Sequence, residues 1–250
     1  MFSRLPPPTS SIPSRPQQLS RSSSGVTPRA APVNMASFNS ASAPCFHGEC
    51  QVLMRDGSLK MVSEIKKGDQ VSLAAKNADQ SIENYAVIEC VVRTRTTLSK
   101  PFQLLKILGG LKITPWHPIC EYREDSLVHW VFPIYSKLAD IYNIVECNEV
   151  YSFVLEVDSE CITKSEALTN TVSELSLRGS GKGMIINNIE CATMGHGIMN
   201  TPTISHPFYG TQKVVNELMR SSGWKNGVVE LNSDSLIRDP ESGLICGFKF

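Results

Sequence analysis

Cysteine and histidine are the residues of this 250-residue chain that could act as nucleophiles, proton carriers or metal ligands near neutral pH. The chain contains eight cysteines and five histidines. Cys45 stands out by its position, because it directly follows Pro44 where a Ser- and Pro-rich tail gives way to alternating apolar residues. A single free cysteine is most often a small buried apolar side chain. The residues that accompany Cys45 therefore decide how it is interpreted.

One interpretation of this segment is a zinc site, because Cys45, His47 and Cys50 have ligand-like spacing. A structural zinc ion needs four ligands, usually from two such pairs. The cysteines are widely separated and no CxxC pair occurs. We therefore predict no metal and no other cofactor, and keep the zinc site as the least favoured alternative. In a chain without a signal-peptide pattern, the cysteines are expected to be free thiols.

The first 44 residues contain no Asp or Glu and many Ser and Pro, which predicts a disordered tail over 1–44. Such an acid-free segment is also typical of organelle transit peptides, although its prolines would break an amphipathic helix. The sequence has no apolar signal-peptide core and no 18-residue apolar run. We expect an intracellular, cytoplasmic protein without a membrane span, with a transit peptide as the alternative. The formal net charge of zero gives no reason to expect binding to nucleic acid.

From residue 45 onward the pattern is typical of short strands separated by turns, which predicts an all-β fold. Asp56-Gly57 between two apolar runs predicts a hairpin, because glycine tolerates positive φ. One helix is predicted over 211–221, with Val214, Val215, Leu218 and Met219 on one face. Residues 162–183 interrupt the strand pattern and are predicted to be an inserted loop.

Four segments, taken in order, resemble the signature blocks of the Hint domain, the self-processing module of hedgehog proteins and inteins. They are Cys45-Phe46-His47-Gly48, the Asp56-Gly57 hairpin, Gly68-Asp69-Gln70-Val71 and Thr114-Pro115-Trp116-His117. The stretches around Met194-Gly195-His196-Gly197 and Ser205-His206-Pro207 resemble an extension of the eukaryotic Hint modules found alongside von Willebrand A domains. The resemblance implies a Hint-type β-fold over 45–250, with a core of about 45–193, the insertion at 162–183 and an extension at 194–250.

The resemblance also implies a chemistry for Cys45. In a Hint domain the thiolate of the first residue attacks the preceding carbonyl, here that of Pro44, and converts the amide into a thioester by an N-to-S acyl shift. The resemblance assigns His117 as the proton donor to the leaving amine and Thr114 as the residue that orients the scissile amide. His196, His206 and Cys90 are secondary candidates. Their alternative roles are hydrogen bonding within turns for the two histidines and core packing for Cys90.

Two departures from the family pattern narrow the expected activity. Between residues 85 and 113 the only carboxylate is Glu89, so the aspartate that hedgehog-type domains use for sterol transfer has no counterpart. No His-Asn pair occurs, so protein splicing is not expected. We predict a single-turnover autocleavage rather than a turnover enzyme, with the N-terminal segment as the substrate and water or a small nucleophile as the acceptor.

The competing hypothesis is a catalytically degenerate Hint fold that acts as a protein-interaction module. It is favoured by Pro44, because proline is a poor residue before a cysteine that forms a thioester. A protein partner would be expected only under this alternative.

Overall fold

The computed structural model describes residues 44–74, 85–96, 101–122, 128–156, 183–198 and 203–250. The predicted tail, except Pro44, and the predicted insertion, except Gly183, lie outside these ranges and stay predictions. Within the described residues there is one α-helix, α1 (Gln212–Leu218). The strands of the described residues are β1 (Phe46–His47), β2 (Gln51–Leu53), β3 (Leu59–Met61), β4 (Gln70–Ser72), β5 (Tyr85–Arg95), β6 (Phe102–Ile107), β7 (Lys112–Ile113), β8 (Ile119–Tyr122), β9 (Val128–Val131), β10 (Ala139–Cys147), β11 (Glu149–Leu155), β12 (Met184–Ile186), β13 (Ile189–Cys191), β14 (Val228–Asn232), β15 (Leu236–Arg238) and β16 (Ile245–Phe248).

The described strands form two larger sheets and one hairpin. The first sheet has the order β10-β6-β7-β1-β11-β5-β14, and β4 also pairs with β5. The second has the order β3-β2-β12-β13-β8-β9, and β15 pairs with β16. The short strand β1 therefore lies in the middle of the first sheet. The start of the folded chain is therefore paired with a neighbouring strand on each side, β7 on one and β11 on the other.

The predicted Asp56-Gly57 hairpin is confirmed. Strands β2 and β3 pair antiparallel, with Leu53 opposite Leu59. Gly57 has a φ of +82°, which an L side chain rarely adopts. The Asp56 carboxylate accepts a hydrogen bond from the Ser58 amide at 2.9 Å. An Asp side chain that bonds the backbone two residues on is a common way to stabilise such a turn.

The hydrophobic core has two main parts, and Phe46 of β1 and the preceding Cys45 belong to different parts. Phe46 belongs to a cluster with side chains from both larger sheets, including Val52, Ile113 and Phe153. Cys45 belongs to the other cluster, which consists largely of residues from the predicted extension. Successive residues of a strand point to opposite sides. The two sides of β1 are thus covered by different parts of the chain.

The extension contains α1 and completes the first sheet. Thr211 caps α1, because its hydroxyl accepts a hydrogen bond from the Lys213 amide at 3.2 Å. Val214, Val215 and Leu218 are buried as predicted, but Met219 is 54% exposed. The helix was predicted over 211–221 and spans Gln212–Leu218, with Met219 as its C-cap residue.

Strand β14 of the extension pairs in parallel with β5. The extension is therefore part of the sheet that holds β1. Among the described residues, no helix is both long and apolar enough to cross a membrane.

Candidate active site

The register of β1 places two hydroxyl side chains beside Cys45. Phe46 pairs with Ile113 on one side and with Tyr151 on the other, both antiparallel. The preceding residue, Cys45, is therefore flanked by the residues that follow those partners, Thr114 and Ser152. The pairing of β1 with a strand on each side thus brings these two hydroxyl groups to Cys45.

Thr114 holds the amide of the Pro44–Cys45 bond. The Cys45 N–H donates to the Thr114 hydroxyl oxygen at 3.0 Å. The Thr114 N–H in turn donates to the Cys45 carbonyl at 3.0 Å. Thr114 is 1% exposed, so water does not compete for these bonds. Thr114 thus lies at the amide to which the resemblance assigned it, and its orienting role stays a proposal.

Ser152 holds the other end of the same peptide bond, and sequence reasoning missed it. Its hydroxyl donates to the Pro44 carbonyl oxygen. The same hydroxyl oxygen lies 3.3 Å from the Cys45 sulfur. The sequence does contain a signal for Ser152. It is a polar residue in the middle of β11, an otherwise largely apolar strand in which every residue after the first is buried. A polar side chain in such a strand needs a specific hydrogen-bond partner.

The Cys45 thiol is fully buried and protonated at neutral pH. Burial raises its pKa to about 12, since the thiolate loses its hydration, while the hydrogen bond with Ser152 acts in the opposite direction. Cys45 is 1% exposed. Its conversion to a thiolate therefore requires a proton acceptor within the site.

His117, the buried histidine of the same motif as Thr114, is the candidate for this role. Its Nε2 lies 2.7 Å from the Ala192 carbonyl oxygen. A carbonyl only accepts, so Nε2 carries the proton and Nδ1 of the neutral ring has a free lone pair. Burial lowers the pKa of His117 to about 3, with the hydrogen bond to Ala192 opposing the shift. The imidazole is therefore neutral, and within the described residues its Nδ1 has no hydrogen-bond partner.

Beside the site lies a small cavity with a volume of about 10 Å³. Pro44, His117 and Ser152 line this cavity. His206, Tyr209 and the other secondary histidine of the extension also line it. The structure thus places both secondary histidines in the lining of the cavity that Pro44 also lines, which the sequence alone could not show.

Each of these two histidines also stabilises its own turn. The Nδ1 of His196 accepts a hydrogen bond from the Ile198 amide at 2.9 Å. The Nδ1 of His206 accepts from the Phe208 and Tyr209 amides, both at 3.1 Å. Burial lowers the pKa of both histidines to about 4. They are neutral at pH 7, and both predicted roles, turn residue and site residue, fit their positions.

The remaining sequence candidates lie outside the cavity. Cys90 is buried in the same apolar cluster as Cys45 but does not line the cavity. The Cys50 sulfur contacts the Lys112 backbone, and His47 Nδ1 accepts from the Glu49 amide at 3.2 Å. In the described ranges no three His, Cys, Asp or Glu side chains are grouped as metal ligands.

A family comparison decides the classification. Residues 44–247 match the family named Vint, described as a Hint domain. The chain belongs to the Vint family of Hint domains. Hint domains are self-processing modules, and the predicted all-β, Hint-type fold is confirmed. The predicted kinship to modules beside von Willebrand A domains stays a prediction.

The Vint chain is also similar to solved intein structures. The crystal structure of the gp41-1 intein is 13% identical, with 61% of this chain and 100% of that chain covered and a TM-score of 0.33. The structure of a DnaB intein from Synechocystis sp. PCC 6803 is 12% identical, with 60% and 99% covered and a TM-score of 0.33. No curated protein sequence matches this chain.

Proposed function

We propose that this Hint domain cleaves the Pro44–Cys45 bond once per molecule through an N-to-S acyl shift. One observation carries the proposal, namely that this peptide bond is held at both ends. Ser152 donates to its carbonyl and Thr114 accepts from its N–H. The thiol that would attack lies against the same Ser152 hydroxyl. Such fixed placement of the reacting groups is a large source of rate enhancement.

In the first step the Cys45 thiol gives its proton to Nδ1 of His117, and the sulfur attacks the Pro44 carbonyl carbon. The C–N bond then breaks, and the proton passes from Nδ1 to the Cys45 nitrogen. The products are a Pro44 thioester and a free amine. His117 thus carries the proton from the sulfur to the nitrogen. Its low pKa opposes the first transfer and favours the second, because the protonated ring is a strong proton donor.

Ser152 stabilises the oxyanion that forms on Pro44 during this attack. Its hydroxyl already donates to the carbonyl oxygen in the resting state, so no rearrangement is needed when charge develops. Pre-positioned donors of this kind act strongly in buried sites. We assign Ser152 as the oxyanion donor.

In the second step water or another small nucleophile attacks the thioester carbonyl and the C–S bond breaks. The thiol of Cys45 is regenerated and Pro44 leaves as a carboxylate when water is the acceptor. The products are residues 1–44 and 45–250. Neither step involves oxidation or reduction.

The test is the intact mass of freshly purified full-length protein, with and without hydroxylamine, which intercepts thioesters. We expect slow release of residues 1–44 that hydroxylamine accelerates. Cys45→Ala should abolish this release. Cys90→Ala is the matched control, because it removes a sulfur from the same apolar cluster and should leave cleavage intact. A single unchanged mass after long incubation with hydroxylamine would favour the interaction-module alternative.

A further inference from the structure

Two residues that line the cavity each have a buried polar side-chain atom without a hydrogen-bond partner among the described residues. They are Nδ1 of His117 and the hydroxyl of Tyr209. The side chains are 1% and 5% exposed, respectively. Native proteins satisfy nearly all buried polar groups. The pair therefore indicates a ligand that hydrogen-bonds to both.

The two atoms have complementary chemistry. His117 Nδ1 can only accept a hydrogen bond, since the ring proton is on Nε2. Tyr209 is available as a donor, because burial raises the pKa of its phenol well above the ordinary value. A molecule that donates one hydrogen bond and accepts another would satisfy both.

The rest of the wall limits the size and charge of this molecule. Besides Pro44, the apolar side chains that contribute to it are those of Pro118, Phe153, Ala192, Met194 and Ile204. Both histidines of the extension are neutral, so neither supplies a positive charge to hold an anion. The interior is narrow and accommodates a molecule of about the size of water. Water, or a neutral nucleophile of similar size, fits these conditions.

We propose that this cavity is the acceptor site of the autoprocessing reaction, where Tyr209 and His117 bind the small neutral nucleophile that opens the thioester. The inference rests on the proposed acyl shift. It assigns Tyr209, which sequence reasoning did not single out, as a further catalytic residue. It also gives the C-terminal extension a function, since Tyr209 lies in the extension.

The step balances without any further reactant. The nucleophile transfers a proton to His117 Nδ1 and its oxygen, or the nitrogen of hydroxylamine, forms a bond to the Pro44 carbonyl carbon. The C–S bond breaks, and the proton on Nδ1 passes to the Cys45 sulfur. Tyr209 keeps its proton and orients the nucleophile throughout.

Binding can be measured without cleavage in full-length Cys45→Ala protein. Hydroxylamine is the probe, and the imidazole NMR signals of His117 are the readout. We expect these signals to shift saturably with hydroxylamine concentration and the exposed His129 to show no saturable shift. The absence of a saturable shift at His117 would overturn the acceptor site.

The kinetic test uses the full-length chain with Tyr209→Phe, which keeps the ring that packs in the core. With a binding site, the cleavage rate should depend hyperbolically on hydroxylamine concentration. Tyr209→Phe should raise the half-saturating concentration by about tenfold, the effect of losing one buried hydrogen bond. Tyr135→Phe, which alters an exposed tyrosine outside the cavity, should have no effect. A linear dependence in the parent protein, or equal half-saturation in Tyr209→Phe, would overturn the assignment.

The two proposals fail differently. Saturable binding in Cys45→Ala without any cleavage in the parent protein would overturn the acyl shift and with it the acceptor role, leaving only a binding site. Cleavage without saturable binding would overturn the acceptor site and leave the acyl shift standing.

Discussion

Replacing Ser152 by alanine tests the arrangement around the scissile bond most directly. The substitution removes the hydroxyl that donates to the Pro44 carbonyl and contacts the Cys45 sulfur. Loss of one oxyanion donor typically lowers a rate by about 10²–10³-fold, so hydroxylamine-induced cleavage should slow by that factor. The free energy of unfolding should fall by only about 1–3 kcal/mol, the typical cost of leaving a buried acceptor without its partner.

The assay is the time course of release of residues 1–44, followed by intact mass, combined with urea unfolding of each variant. Ser136→Ala is the matched control. Ser136 is also a buried serine whose hydroxyl donates to a side chain, that of Glu121, but it is not part of the cavity wall. We expect a similar stability loss and a parental cleavage rate. Equal cleavage rates for Ser152→Ala and the parent protein would refute the oxyanion role. Equal slowing in Ser152→Ala and Ser136→Ala would show that the slower cleavage results from lost stability alone.

Three further predictions follow from the same geometry. Pro44→Gly should accelerate thiol-induced cleavage at least about tenfold, because it removes the ring that restrains the attacked carbonyl; an inert glycine variant whose Cys45 still reacts with a thiol probe would exclude proline as the obstacle. His117→Ala should slow cleavage by about 10²–10⁴-fold, and a parental rate in a pulse with hydroxylamine would remove His117 from the proton transfers. Stability should fall with acid, because His196 has a pKa of about 4 in the folded state against an ordinary 6.5. The neutral ring is favoured by folding, so its contribution is complete above pH 6.5 and about 3 kcal/mol is lost by pH 4; urea unfolding at both pH values should show a smaller loss in His196→Gln, and an equal loss would assign the acid sensitivity elsewhere.

The sequence could predict what depends on local pattern and on family motifs. The Asp56-Gly57 hairpin followed from turn chemistry, because few dipeptides tolerate the required backbone. Thr114 was placed at the scissile amide by its motif, and the structure has it there. The buried face of α1 followed from helical periodicity. Met219 is the exception, because it is the C-cap residue that follows the helix and its side chain is exposed.

The rest of the site depends on pairing between distant strands, which no local pattern encodes. Ser152 faces Cys45 only because β11 pairs with β1 in a particular register. Tyr209 reaches the cavity only because the extension packs over β1, and the parallel pairing of β14 with β5 could not be read from either strand alone. The tautomer of His117 likewise depends on the backbone carbonyl of Ala192, and an alanine side chain gives no indication of such a contact.

The composition of the cluster around Cys45 has a consequence for the timing of cleavage during synthesis. Cys45 begins the folded domain, yet Val229, Ile245 and Phe248, near the end of the chain, help to bury it. Contacts between such distant parts of a chain form slowly, and synthesis proceeds from the N-terminus. A nascent chain would therefore expose Cys45 to water until its last strands had emerged and docked. Under the proposed acyl shift, the Pro44–Cys45 bond would become reactive only in a completed domain, and the order of folding would itself prevent premature release.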